Sequence, residues 1–146
     1  MRLTALLLTV LTVSVARNAP TREMCGMWVT DLTKSDLGAG ARPTQLILNV
    51  TREGNRLKVI EVASDEVGAF VAERRYVFKG ATPRVEKDVG TAETTGRVTV
   101  LRCSGRLERW SISENGFELI VNRWIGDLPT ASHHRLILRR SSGNLE

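Results

Sequence analysis

Apolar residues in this chain alternate singly with polar ones, and turn chemistry interrupts them at short intervals. In residues 44–64 (TQLILNVTREGNRLKVIEVAS), Leu46, Leu48 and Val50 alternate with Gln45, Ile47, Asn49 and Thr51. Glu53-Gly54-Asn55 then turns the chain back into Arg56–Ala63. A period of two puts successive side chains on opposite faces of a strand, and Gly-Asn takes the positive φ angles of a tight hairpin. The same signal recurs at residues 27–33, 68–78, 97–103, 106–113, 117–125 and 133–140, with Asn115-Gly116 as the strongest short turn. Residues 79–96 are the least regular, with room for a short strand around Arg84–Lys87. No segment has a helical period of 3.6. The expected fold is therefore all-β, an antiparallel up-and-down meander of about eight strands. Closing such a meander into a barrel removes its exposed edges.

The start of the chain has a different character. Met1-Arg2 precedes an apolar run, Leu3–Val15, and Ser14-Val15-Ala16 supplies small residues before a cut. These are the parts of a secretory signal peptide, and thirteen apolar residues are few for a bilayer span. The expected organisation is a signal peptide at 1–16, an N-terminal arm at 17–24, a barrel at 25–140 and a flexible tail at 141–146. The product is expected to be secreted or periplasmic, with no stable membrane span after cleavage. Cys25 follows Thr-Arg-Glu-Met and not the small apolar residues that precede a lipid-modified cysteine. In an exported chain, the two cysteines pair by default, so a Cys25–Cys103 disulfide is expected, stabilising by roughly 4–5 kcal/mol in chain-entropy terms. No short Cys or His spacing supports a metal site, and the adjacent His133 and His134 point to opposite strand faces.

Gly26-Met27-Trp28 on the first strand, with a basic residue closing the last, resembles the lipocalin and avidin-like barrels. In that group, a Gly-x-Trp tryptophan lies across one end of the barrel beneath a basic side chain of the final strand. The resemblance implies that Trp28 is structural and that Arg139 or Arg140 packs over it, where a guanidinium on the ring contributes ~0.5–2 kcal/mol. More specifically, Gly26, Trp28, Asp31, Leu32, Lys34 and Ser35, followed by Leu37-Gly38-Ala39-Gly40 and Pro43, resemble the opening of small exported bacterial lipocalin-like proteins of uncharacterised function. Tyr76–Gly80 followed by Val85, Asp88 and Gly90 extends the likeness, which runs loosely over residues 25–140.

Signals for catalysis are missing. There is no Gly-x-Ser-x-Gly elbow, no Gly-x-Gly-x-x-Gly and no P-loop. His133 and His134 lack the context of a triad, so an enzyme is not expected, nor a cofactor. The formal charge of +5 is spread among interleaved acids, with no dense basic block, which argues against a nucleic-acid partner. A barrel of eight strands is either filled by side chains or holds one small ligand. On the second reading the expected function is binding of a small apolar or amphipathic ligand. Tyr76, Phe78, Trp110 and Trp124 are its candidate wall. Arg74 and Arg123, which interrupt apolar faces, would anchor an acidic group; alternatively these arginines lie near strand ends and reach water. The competing function is a protein-interaction module, such as an envelope-protein partner or a protease inhibitor. It would act through the arm Arg17–Met24 and the loop Lys34–Thr44.

Overall fold

The computed structural model describes residues 24–40, 42–78 and 88–142. The expected signal peptide, most of the arm, the Arg84–Lys87 strand and the end of the tail lie outside these residues. Among the described residues, nine strands form one closed barrel in chain order: β1 (Gly26–Thr30), β2 (Gln45–Glu53), β3 (Arg56–Ser64), β4 (Ala69–Phe78), β5 (Gly90–Thr95), β6 (Val98–Cys103), β7 (Arg106–Ile112), β8 (Glu118–Ile125) and β9 (Ser132–Arg140). β9 closes the sheet on β1 through Trp28↔Arg140 and Thr30↔Leu138.

Every neighbouring pair is antiparallel except one. β5 runs parallel to β4, with Tyr76 beside Gly90 and Phe78 beside Ala92. This departs from the expected up-and-down meander, because β5 starts level with Tyr76 instead of beyond Phe78. Gly90 is demanded at this junction: a Cβ there would stand 2.6 Å from the Tyr76 ring and would also clash with the Arg102 carbonyl.

Chain direction defines two ends. Where β1 enters lie the β2–β3, β5–β6 and β7–β8 turns; at the other end lie the β1–β2 loop and the β3–β4, β6–β7 and β8–β9 connections. The first end is plugged. Trp28 is fully buried, its indole N–H donates to the Met24 carbonyl at 2.9 Å, and the Arg140 guanidinium lies 4.3 Å over its ring. Arg140 also donates to the carbonyls of Cys25 (2.7 Å) and Gly116 (3.0 Å). Gly26, at φ +125°, leaves space for that guanidinium, which a Cβ would approach to 3.0 Å. Arg140 thus takes the covering position, whereas Arg139 is 61% exposed and reaches Asp31 at 3.7 Å. Period-two alternation explains the choice, since only one of two adjacent residues can face inward.

Asp31 and Ser35 fasten the β1–β2 loop to β9. The Asp31 N–H donates to the Ile137 carbonyl (2.7 Å), the Ile137 N–H donates to Ser35 Oγ (2.9 Å), and Ser35 Oγ donates to the Asp31 carbonyl (2.7 Å). Asp36 and Arg135 then exchange backbone hydrogen bonds at 2.7 and 2.8 Å. The loop is held at the second end of the barrel, where Gly38, at φ +70°, passes close to the His134 ring.

The expected disulfide is absent: Cys25 and Cys103 are both free thiols. Cys25 precedes β1 at the plugged end, among Arg52 and Arg140, whereas Cys103 ends β6 at the opposite end. A disulfide requires Cα atoms within ~7 Å, which this topology forbids. Burial pushes the Cys25 thiol up against the opposing pull of the two arginines, so it is protonated and weakly nucleophilic at neutral pH. Alkylation after unfolding without reductant should therefore label both cysteines. An intact mass two hydrogens short, with no label taken up, would contradict the fold.

A candidate ligand site at the open end of the barrel

Alternation carries charge as well as apolar side chains into this barrel. On β3 the inward series is Leu57, Val59, Glu61 and Ala63; on β4 it includes Arg74 and Tyr76; on β7 it is Arg106, Glu108 and Trp110; and on β8 it is Leu119, Val121 and Arg123. The charged members meet. Glu108, fully buried, accepts from Arg123 Nε at 2.6 Å and Arg106 Nη2 at 2.9 Å through one oxygen, and from Trp110 Nε1 at 3.0 Å through the other. Glu61 Oε2 accepts from Arg123 Nη2 at 2.6 Å, Arg74 Nη2 at 2.7 Å and Arg106 Nη2 at 3.4 Å. Three guanidiniums thus enclose two carboxylates. Isolated charges at this depth would be prohibitive, and mutual pairing makes them tolerable.

This network divides the interior. On its far side the barrel is filled by Trp28, Trp110, Tyr76 and the leucines and valines around them. On its near side a cavity of about 530 Å³ opens to the surface. Its floor is Glu61, Arg106, Arg123 and His134, and its walls include Leu37, Leu46, Ala63 and Phe70. Phe70 is 67% exposed, at the rim, and Val67, Val71 and Leu128 are exposed at the same end.

The candidate wall proposed from sequence is mostly elsewhere. Of those six residues, only Arg123 lines the cavity. Trp110 and Tyr76 do face inward, but in the packed half, and Phe78 sits at the plugged end with Arg52 over its ring at 5.3 Å. Trp124 points outward and stacks on His133, ring centroids 4.9 Å apart, because its neighbour Arg123 takes the inward position. Arg74 is inward, beneath the floor and paired with Glu61, so neither it nor Arg123 snorkels to water. The residues missed are Glu61, Arg106, Leu46, Ala63 and His134. Glu61 was legible, since it shares the face of Leu57 and Val59.

Burial opposes the charge on both carboxylates, but the arginines outweigh it: Arg123 and Arg74 hold Glu61, and Arg123 and Arg106 hold Glu108, below the ordinary glutamate value. Burial, with Arg123 and Arg106 alongside, pushes His134 down, so it is neutral at pH 7. Burial also pushes the Tyr76 phenol up, with Glu108 next in effect, and its hydroxyl has no hydrogen-bond partner among the described residues. A carboxyl with a lowered pKa stabilises the fold above its unfolded value and loses that contribution as pH falls through the folded one. The melting temperature should therefore decline modestly on acidification below ~6.5, the unfolded histidine value, because His134 is held neutral in the fold, and fall more steeply below ~4.3, the unfolded glutamate value. A Glu61→Gln variant should show a lower plateau and a shallower acid limb in the same thermal scan.

No protein-family model matches the sequence, and no curated protein does. Solved structures do resemble the fold. The REP1-NXSQ fatty acid transporter aligns with a TM-score of 0.57 at 10% identity, covering 84% of this chain and 98% of its own. The siderocalin Ex-FABP, which functions through dual ligand specificities, gives 0.55 at 11% identity over 84% of this chain and 76% of its own. The zebrafish ileal bile acid-binding protein, complexed with cholic acid, gives 0.55 at 11% identity over 82% and 99%. At such identities the likeness is one of architecture alone: a closed β-barrel similar to those of the lipocalin and fatty-acid-binding type.

Proposed function

We propose that this protein is an exported carrier or scavenger of a small apolar or amphipathic molecule bearing an acidic group, held in the open end of the barrel. One observation carries the reading: an apolar-walled cavity of about 530 Å³ stands over a floor with more guanidiniums than carboxylates. Ligand pockets commonly have this volume and this ratio of apolar wall to a few convergent polar groups. Arginine is the residue suited to holding a carboxylate through paired hydrogen bonds. The fatty-acid and bile-acid proteins that share the architecture add support of a general kind, since one fold serves many functions.

Titration with dodecanoate, followed by displacement of a fluorescent amphiphile, tests the reading. The wild type should bind saturably at one site. Phe70→Asp, at the exposed rim and away from the ion network, should weaken binding about tenfold, equivalent to about 1.4 kcal/mol. The absence of saturable binding to the wild type would refute it. The exposed Val67, Phe70, Val71 and Leu128 favour a second reading, a protein partner seated on the same rim. That reading gains if Phe70→Asp abolishes recovery of an envelope protein while no amphiphile binds. Export has its own test: the denatured mass of protein recovered from outside the cytoplasm should lack residues 1–16, and a full-length mass would exclude cleavage there.

A further inference from the structure

The two buried glutamates are placed differently with respect to the cavity. Glu108 lies below the floor and does not line it, whereas Glu61 is part of the floor itself. A single Glu61 oxygen collects Nη2 of Arg74, Arg106 and Arg123, at 2.7, 3.4 and 2.6 Å, and Arg123 Nη1 approaches the other oxygen at 3.3 Å. Three guanidiniums from three different strands, β4, β7 and β8, thus converge on one point, and a carboxylate from a fourth strand occupies it. That point is at the base of the open cavity, and the next inward residue towards the mouth on β3 is the small Ala63.

From this geometry we infer that Glu61 is the specificity-determining residue of the site: an internal carboxylate that occupies the seat of the ligand's acidic group and yields it on binding. The inference rests on the reading given above and says where the acid goes and what it displaces. Any anion entering the cavity meets guanidiniums that are already engaged. It gains a place only by substituting for Glu61, so the apparent affinity is reduced by the fraction of time that Glu61 holds the seat. A neutral amphiphile does not compete for the seat and is not subject to this loss. Glu61 also keeps the arginines from being left as uncompensated buried charges when the cavity is empty. Discrimination between ligands then comes from an opposing element built into the site as well as from the attractive one.

The experiment compares dodecanoate with dodecanol on the wild type, Glu61→Gln and Glu108→Gln. Both substitutions remove one negative charge from the network, but only the first vacates the seat. Glu61→Gln should tighten dodecanoate about tenfold and change dodecanol by less than about twofold, with Glu108→Gln producing the smaller gain for dodecanoate. If the wild type binds dodecanoate and Glu61→Gln leaves its affinity unchanged or weaker, or if both variants tighten it equally, the inference is overturned and the carrier reading survives. If the wild type binds neither probe, the carrier reading itself fails. Should the variants not fold, the carboxyl 13C resonance of Glu61 in the wild type gives the answer. Dodecanoate should move it and dodecanol should not; equal responses to both would overturn the inference.

Discussion

Charge enclosed within the barrel organises the rest of the molecule. Glu61 and Glu108 face inward because the strand period leaves no choice, and each would be ruinous alone in an apolar interior. Arg74 and Arg123 reach them from two other strands and Arg106 from β7, the strand of Glu108 itself, with contacts as short as 2.6 Å. The network is therefore a constraint on register: moving any of the four strands by one residue would send its charged member to the outer face and leave its partners buried and unpaired. Such a network is poor evidence for net stability, since well-packed apolar residues often do as well. Its consequence here is positional. It is the level at which packed core stops and open cavity begins.

The plugged end follows a different logic. Trp28 and Arg140 close it with a ring and a planar cation, and Gly26 is there because any side chain would meet that cation. The guanidinium also satisfies two carbonyls that would otherwise lie at the barrel's margin, those of Cys25 and Gly116. One side chain thereby ties the start of β1, the β7–β8 turn and the end of β9. The cavity of about 530 Å³ opens at the other end. There the β1–β2 loop is fastened by Asp31, Ser35 and the Asp36–Arg135 bridge, so that Leu37, Arg42 and Pro43 stand over the mouth. The motif residues around Trp28 thus serve both ends, one by packing and one by hydrogen bonding.

Most of the strands could be read from the chain, because hairpin turns and alternating apolar residues are local signals. The exception, β5, is a short run of Gly, Thr, Ala and Glu with no large apolar residue to mark it, and it pairs in parallel. The candidate site was harder to see. Aromatic residues drew attention to Trp110, Trp124, Tyr76 and Phe78, yet an aromatic side chain is as useful for filling a core as for lining a cavity. The acid on an apolar face, Glu61, was the better signal. Compartment and cysteine count carry no information on distance, and the fold sets Cys25 and Cys103 at opposite ends.

Sequence alone determined which residues share a face, because the pleat fixes a period of two wherever a strand runs, and it determined where the chain turns, because glycine and asparagine take the angles required. Depth along the barrel belonged to the tertiary structure. Whether an inward residue lies in packed core or open cavity depends on the stagger with which the sheet closes on itself, and that is set by all nine strands together. Arg123 meets Glu61, sixty-two positions away, for the same reason. No local pattern encodes that meeting.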